Sequence, residues 1–263
     1  MAARAIQQVP GSMTMMDIQK AKQFVDSMYY APKKLMQVAP NTWELVLCGS
    51  FIAIRYYDEI NPQRKADLLE GLAAYGFDGC FNQEFECLWG DTMPLPPQAA
   101  LPCHIEYYVD ETATWWVWTE MKRLWPMRNW KEYANLCFFG ALSHYNAGRQ
   151  AEAEDLYDYM MKTWDGLCFY DQYVRDCGHY HTYPIGICMY VARALGRTIP
   201  SHTQWQMDQV MTRSQGDDGG IITLYDLEGV PFGTPSEEPT MFAIMGYEFE
   251  HKKARTPATW GVF

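Results

Sequence analysis

The sequence lacks the features that mark three large classes of protein. It has no run of basic residues, and its net charge is -11 at pH 7, whereas nucleic-acid binding needs clustered Lys and Arg to neutralise phosphates. No uninterrupted apolar segment approaches the roughly 20 residues that span a bilayer. The N-terminal segment also lacks the apolar stretch of a secretory signal. We therefore expect a cytoplasmic protein with no nucleic-acid partner and no membrane span.

The eight cysteines lack the spacing of a metal site. None forms a CxxC pair, and none stands beside paired histidines as in zinc sites. In a chain of this size without a secretory signal, reduced thiols are more common than disulfides. We therefore expect free thiols, no structural metal and no cofactor. The acidic run Tyr56-Tyr57-Asp58-Glu59 could hold Mg²⁺ against a diphosphate, but the sequence has no second acidic motif of that type.

Aromatic and sulfur-containing side chains are abundant. Aromatic residues make up 15% of the chain, which also contains 16 Met, and this is more than a core usually needs. Flat and adaptable side chains of this kind are typical of a ligand cavity. The alternative is a Trp- and Met-rich core that holds no ligand. The first interpretation predicts a small-molecule substrate as the partner and leaves the oligomeric state open.

Apolar residues recur at helical spacing along most of the chain. The segment 43–57 is apolar on nearly every side, which is typical of a buried helix, whereas the predicted helices 15–30 and 61–75 are amphipathic. The glycine-rich segment 216–233 predicts a short β-hairpin near 218–233. The other predicted helices cover residues 77–89, 112–125, 129–145, 149–164, 184–195, 203–214 and 240–247. Together these elements predict a single all-α domain over residues 1–263.

Asp-Gly pairs recur after predicted helices. They stand at Asp78-Gly79, Asp165-Gly166 and Asp218-Gly219, each close to an apolar residue. One such pair is an ordinary helix C-terminus. Three pairs within an alternation of amphipathic and all-apolar helices indicate stacked helical hairpins. The alternation predicts an α/α toroid, in which apolar helices form the inner ring and amphipathic helices form the outer ring.

The chain between about residues 105 and 247 resembles the six-hairpin, glycosidase-like α/α toroid proteins. The residues that carry the resemblance are Trp164-Asp165-Gly166, Phe169, Asp171, Tyr180, Thr182, Tyr183, the segments 108–113 and 218–225, and Glu238-Pro239-Thr240. The resemblance implies an abbreviated six-hairpin barrel with a cavity at one end of the inner helices. The chain departs from the family after the first hairpin, where Thr42-Trp43-Glu44-Leu45 replaces an Asp-Asn pair.

A narrower resemblance connects the loop 166–177 to linalool dehydratase-isomerase, which is also an α/α toroid. Cys168 and Cys177 have the separation of two cysteines of that family, in a loop that enters an inner helix. The family's histidine position falls near Asn135 in this chain. The resemblance implies a largely apolar small molecule, such as a terpenoid, as the type of substrate.

Four polar loops precede inner helices of the expected toroid and should converge on one cavity mouth. They are residues 103–111, 176–183 and 236–238, and Asn41 with Glu44. His181 and His179 are the acid/base candidates, because imidazole titrates near neutral pH, and Tyr183 can relay protons. Asp110 and Glu238 are candidate catalytic carboxylates, as in glycosidases. The substrate-binding candidates are His104, Tyr108, Glu111, Trp115, Tyr180, Cys168, Cys177 and Trp43.

Each of these candidates also has an ordinary structural explanation. Either histidine could hydrogen-bond a buried backbone carbonyl. Asp110 and Glu238 could cap helices, and Trp115 could belong to the core. Buried thiols are inert unless a neighbouring histidine lowers the pKa of the thiol.

The sequence predicts an enzyme of isomerase, cyclase or lyase type. It would act by acid/base chemistry on a terpenoid, a polyketide or a similar small molecule in an aromatic cavity. A glycoside hydrolase or another carbohydrate-active enzyme is the first alternative, because the resembling superfamily contains such enzymes. A non-catalytic binding protein is the second alternative, since a fold alone does not determine function.

Overall fold

The computed structural model describes residues 15–76, 83–109 and 113–252. The helices are α1 (Ile18–Ser27), α2 (Leu47–Ile60), α3 (Pro62–Ala74), α4 (Gln83–Glu86), α5 (Ala134–Asn146), α6 (Gln150–Met161), α7 (Gln172–Cys177), α8 (Tyr183–Ala194), α9 (Ser201–Ser214) and α10 (Glu237–Glu248). The strands are β1 (Tyr29–Tyr30), β2 (Leu35–Met36), β3 (Glu44–Val46), β4 (Gln98–Val109), β5 (Thr114–Pro126), β6 (Tyr180–His181), β7 (Ile221–Tyr225) and β8 (Pro231–Ser236). None of the described helices is long and apolar enough to cross a membrane.

The prediction of an all-α toroid is wrong, because the strands form three small sheets. β1 pairs with β2 in the first sheet. The second sheet has the order β3-β5-β4, in which β3 is parallel to β5 and β4 is antiparallel to it. The third sheet, β6-β7-β8, is antiparallel throughout. The described part of the chain is therefore a mixed α and β structure.

The largest correction concerns residues 112–125, for which the sequence predicts a helix. Their described part belongs to β5, and it is rich in aromatic and β-branched residues, which favour strands. Trp115, Val117 and Thr119 are buried on one face of β5, and the residues between them are less buried. This alternation has the two-residue period of a strand. The segment is so rich in aromatic residues that its sequence also fits helical spacing, and the strand period is therefore not evident from the sequence.

The predicted helix 43–57 begins later than expected. Glu44, Leu45 and Val46 form β3, and Leu45 pairs with Val117 of β5. The chain enters this strand through Trp43, whose φ of 54° is unusual for a residue with a side chain. α2 then follows at Leu47 and is buried along nearly all its length.

Residues 77–82 of the predicted helix 77–89 lie outside the described chain, and the other predicted elements lie close to their expected positions. Helices α1, α3, α5, α6, α8, α9 and α10 overlap the predicted segments, and β7 with β8 forms the predicted hairpin. The local signals explain this agreement. Asn61 caps α3 by accepting a hydrogen bond from the backbone N–H of Arg64, and Gly196 follows α8 with a φ of 65°.

Helices α8 and α10 cross closely in the core. A Cβ atom at Gly186 would lie 2.5 Å from the backbone carbon of Phe242, and one at Gly246 would lie 2.7 Å from the backbone oxygen of Gly186. Glycine at both positions therefore lets the two backbones touch. The crossing fixes the start of α8 relative to α10, and these two helix starts carry Tyr183 and Glu238.

Candidate functional site

A cavity of about 200 Å³ lies beside the first residues of α5, α7 and α8. We call it the pocket. Its lining residues are Met127, Tyr133, Asn135, Leu136, Cys168, Phe169, Asp171, Tyr173, Val174, His181, Tyr183 and Pro184. Three predicted site residues, His181, Tyr183 and Cys168, therefore meet at one cavity.

His181 presents a free imidazole to the pocket. β6 fixes its backbone by pairing it with Leu224 of β7. Its ring stands edge-on to the rings of Tyr173 and Tyr183, whose centres are 4.1 Å and 5.0 Å away. Among the described residues neither ring nitrogen has a hydrogen-bond partner, although both are shielded from solvent. Burial, and then the charge of His179, lowers the pKa of His181 to about 4, so this imidazole is neutral at pH 7.

His179 is not among the residues that line the pocket, and both of its ring nitrogens have partners. Nδ1 lies 3.1 Å from the backbone oxygen of Cys177, and Nε2 lies 2.8 Å from the Tyr173 hydroxyl. A carbonyl oxygen only accepts, so in the neutral ring Nδ1 carries the proton and the Tyr173 hydroxyl donates to Nε2. Burial raises the pKa of Tyr173 to about 12. His179 therefore orients Tyr173, which in turn contacts His181.

Asp171 lines the pocket and joins two helices. It is buried, and its Oδ1 accepts a hydrogen bond from the backbone N–H of Val174 at 3.1 Å. Its Oδ2 accepts one from the backbone N–H of Ala134 at 2.9 Å. One carboxylate thus caps both α7 and α5, and we interpret it as a positioning residue of the pocket.

The two cysteines named above lie in different surroundings. Cys168 is buried in the pocket wall, and its Sγ lies 3.4 Å from the backbone oxygen of His181. Burial raises the pKa of its thiol, so Cys168 stays protonated at neutral pH. Cys177 ends α7 and is exposed, outside the pocket lining. The structure therefore brings only one of the pair to the pocket.

Tyr180 has a structural role next to the pocket. Its hydroxyl donates to the carboxylate of Asp165, and its ring stacks on Tyr225 with the ring centres 5.2 Å apart. Asp165 also accepts hydrogen bonds from the backbone N–H groups of Leu167 and Cys168, at 2.9 Å and 3.0 Å. The Trp-Asp-Gly motif therefore builds a turn that holds Cys168 in place.

Trp115 and Trp43 pack together away from the pocket lining. Trp115 is buried, and its ring centre lies 4.0 Å from that of Tyr30 and 5.1 Å from that of Trp43. Trp43 is partly exposed, and its backbone oxygen accepts a hydrogen bond from the backbone N–H of Trp116. Both tryptophans support the join between β3 and β5.

Glu238 belongs to a group of four glutamates, in which the charges of Glu120 and Glu84 act on Glu238 and the charge of Glu238 acts on Glu237. We call Glu84, Glu120, Glu237 and Glu238 the carboxyl cluster. Burial raises the pKa of Glu238 to about 8, and the charges of Glu120 and Glu84 contribute to this rise. Glu238 therefore carries a proton in most molecules at pH 7. The charge of Glu238 also raises the pKa of Tyr183, a residue of the pocket lining.

Glu237 is the most deeply buried member of the carboxyl cluster. Its residue is only 3% exposed, and its Oε2 has no hydrogen-bond partner among the described residues. A Cβ atom at Gly49 in the first turn of α2 would lie 2.3 Å from its Oε1. Glycine at position 49 therefore makes the room that this carboxyl group occupies.

His104 lies on the β4-β5 sheet, two residue pairs along from Glu120. It is paired with Trp118, while Tyr107 is paired with Trp116 and Pro102 with Glu120. Its ring centre is 4.6 Å from that of Trp116 and 5.0 Å from that of Trp118. Paired residues share a face of the sheet, so we call Tyr107, Trp116, His104 and Trp118 the aromatic face.

Some predicted site residues lie outside the described chain. Asp110 and Glu111 are among them, and Tyr108 is described only in its backbone, which pairs with Trp115. The acidic run at 56–59 is neutralised, since Asp58 pairs with Lys65 and Glu59 with Arg55. Within residues 15–76, 83–109 and 113–252, no group of three His, Cys, Asp or Glu is arranged to hold a metal ion.

Sequence reasoning missed three residues that the structure brings to the site. Tyr173 and Asp171 line the pocket, and Glu120 belongs to the carboxyl cluster, whereas Glu237 stands in the predicted polar loop 236–238. Asp171 had a usable signal, because an aspartate just before a short helix is a common N-cap. Glu120 had none, since it stands in a segment whose sequence predicts a helix.

Comparisons with known proteins give no further guide to the site. No family model matches the sequence, and neither the curated proteins nor the solved structures contain a significant match to this chain.

Proposed function

We propose that the protein is an acid/base enzyme of isomerase, cyclase or lyase type, and that its substrate occupies the pocket. The observation that carries this proposal is the imidazole of His181, which faces the pocket with two nitrogens that have no partner among the described residues. A buried polar group without a partner costs free energy. A substrate group that bonds to His181 would offset that cost, and this favours a ligand-binding role.

The groups around the pocket divide into a proton acceptor and proton donors. His181 is neutral at pH 7 and can accept a proton from a substrate carbon or hydroxyl. Tyr183 keeps its proton, because burial raises its pKa, and its hydroxyl group can donate a hydrogen bond. Glu238, whose charge acts on Tyr183, can in its protonated form replace a proton that Tyr183 gives up. These roles require only proton transfer between side chains and substrate.

The pocket favours a small and largely apolar substrate. Its volume of about 200 Å³ is below the 300–1,000 Å³ of typical drug-sized ligand sites. Leu136, Phe169, Val174 and Pro184 supply apolar wall, whereas Asn135 supplies an amide. A small terpenoid or a short polyketide fragment fits this mixture better than a polar metabolite does.

Solvent isotope exchange tests the proposal even though the product is not specified. The protein would be incubated in D₂O with a panel of small terpenoid alcohols, alkenes and ketones, and deuterium in the recovered compounds would be measured by mass spectrometry. We expect one member to gain deuterium or to isomerise, and we expect Tyr183→Phe to slow that change by at least tenfold. Exchange that is equally fast with Tyr183→Phe would remove Tyr183 from the mechanism.

A glycoside hydrolase is the second candidate, and one observation favours it. The charge of Glu120 acts on Glu238, and Glu238 carries the raised pKa that a glycosidase acid needs. Aryl glycosides in the same panel distinguish the two functions. Release of the phenol that disappears in Glu238→Gln, with no deuterium exchange in the terpenoids, would favour the hydrolase.

A further inference from the structure

A second cavity, of about 660 Å³, lies between α6, the end of α5 and the segments that precede α5 and β4. We call it the groove. Its volume falls within the 300–1,000 Å³ that is typical of small-molecule sites. Among the described residues, none lines both the groove and the pocket. The groove is therefore a separate candidate site.

Helix α6 presents one face to the groove. Four of its residues line the groove at the spacing i, i+3, i+4 and i+7, which places them on one side of a helix. They are Glu152, Asp155, Leu156 and Tyr159. A Cβ atom at Gly140 of α5 would lie 2.6 Å from Cζ3 of Trp130 and 3.3 Å from Cδ1 of Leu156. Both side chains therefore pack over Gly140, and they give the groove an apolar wall next to two carboxyl groups.

The groove also contains an ammonium group and an imidazole. Lys131 lines it, and its Nζ lies 5.6 Å from the centre of the Trp130 ring. His144 lines it as well, and its Nδ1 lies 2.8 Å from Nε of Arg149. A guanidinium group only donates, so Nδ1 accepts and the proton of the neutral ring is on Nε2. Burial and the charge of Arg149 keep the pKa of His144 below its ordinary value, so at pH 7 the neutral ring can donate from Nε2.

The groove holds charges of both signs that are not paired with each other. Lys131 and the two carboxyl groups of α6 line the same cavity. None of the ion pairs in the described chain includes Lys131, Glu152 or Asp155. A ligand that carries both charges would interact favourably with both sides of the groove.

This mixture of charges selects the class of ligand. A simple anion would be attracted by Lys131 but repelled by Glu152 and Asp155, and a simple cation would meet the reverse difficulty. A metal ion is disfavoured, because the described residues include no group of three His, Cys, Asp or Glu that could hold one. A zwitterion with an apolar body matches both the charges and the apolar wall.

We propose that the groove binds a free amino acid with a large apolar side chain. Its ammonium group lies against Glu152 and Asp155. Its carboxylate accepts hydrogen bonds from Lys131 and from Nε2 of His144, and its side chain packs on Trp130. An amino acid bound there can serve as a second substrate or as a regulatory ligand.

Calorimetric titration of the full chain with L-phenylalanine at pH 7 tests this proposal. The comparison ligands are 2-phenylethylamine, which lacks the carboxylate, and 3-phenylpropanoate, which lacks the ammonium group. All three share the phenyl body. We expect phenylalanine to bind at least tenfold more tightly than either comparison ligand. Similar affinities for the three ligands, or no binding of phenylalanine at millimolar concentrations, would overturn the proposal.

Variants assign each charge of the ligand to its partner. Lys131→Gln should remove most of the advantage of phenylalanine over 2-phenylethylamine and leave its advantage over 3-phenylpropanoate intact. The combination of Glu152→Gln with Asp155→Asn should have the opposite effect. All three residues are exposed, so we expect both variants to fold. Unchanged advantages in both variants would contradict the assignment.

Matched controls change the same charges outside the groove. Lys162→Gln, and the combination of Asp217→Asn with Glu228→Gln, alter exposed positions that do not line it. Both should retain the preference for phenylalanine, and its loss in these controls would mean that net charge rather than the groove determines binding. His181→Ala should also retain phenylalanine binding, so the failure of either proposal can be recognised separately.

Discussion

At the scale of single residues, the buried His181 makes the stability of the fold depend on pH. Its pKa is lowered to about 4 in the folded chain and returns to its ordinary value of about 6.5 on unfolding. Below pH 6.5 the unfolded chain therefore binds a proton that the folded chain does not bind. The stability from neutral His181 is present above pH 6.5 and is lost as the pH falls towards 4.

This linkage predicts a measurable difference between pH 7 and pH 5. The free energy of unfolding should fall by about 2 kcal/mol more in the native chain than in His181→Gln, which has no titrating group at this position. Urea unfolding of both proteins at the two pH values measures the difference. Parallel losses in the two proteins would mean that His181 is not held neutral by burial.

Asp171 should contribute to the stability of the fold, because its side chain holds the backbone at the start of two helices that border the pocket. Asp171→Ala removes the caps of α5 and α7 together and leaves the N–H of Ala134 without its acceptor. We expect a loss of about 2–4 kcal/mol in the free energy of unfolding. Asp17→Ala is the matched control, because Asp17 caps only α1 at an exposed position, and it should cost about 1 kcal/mol. Equal losses would show that Asp171 does not join two helices.

At the scale of elements, the crossing of α8 and α10 should reverse the usual effect of a glycine substitution. Helix propensity alone predicts that Gly186→Ala stabilises the chain by about 1 kcal/mol. The new methyl group would instead collide with the backbone of Phe242, so we expect a loss of about 1–3 kcal/mol.

Thermal unfolding provides the measurement for this crossing. Ala151→Gly at an exposed position of α6 calibrates the propensity effect alone, and it should cost about 1 kcal/mol. A stabilising Gly186→Ala would contradict the close contact of the two helices.

The elements also differ in how well the sequence predicts them. Helix α3 is indicated by Asn61, Pro62 and its apolar stripe, and α8 by Pro184 and Gly196. Strand β5 is not indicated by the sequence, because its four consecutive aromatic or branched residues, Trp115 to Trp118, fit the pattern of a strand and that of a helix equally well. The segment becomes a strand because it pairs with β4 and β3. A single sequence does not show which segments pair with one another.

At the scale of the whole molecule, the site depends on side chains that the fold brings together from separate segments. The charges of Glu120 of β5 and Glu238 of α10 both raise the pKa of Tyr183 of α8, and Glu120 also raises that of Glu238. The sequence predicts Glu238 and Tyr183 as site residues, because they precede apolar helices. Their coupling to Glu120, and the burial of Glu237 against Gly49, follow only from packing. The grouping of the four glutamates is therefore beyond sequence reasoning, whereas Glu238 itself and His181, Tyr183 and Cys168 of the pocket are not.

The measurement that tests the central claim most directly compares two histidine variants in the D₂O assay. Once a panel member exchanges or isomerises, His181→Ala and His202→Ala would be assayed with it under the same conditions. His202 is an exposed histidine on α9, outside the pocket lining. We predict that His181→Ala slows the reaction at least a hundredfold and that His202→Ala leaves it unchanged. A reaction that proceeds at the native rate in folded His181→Ala would contradict the account.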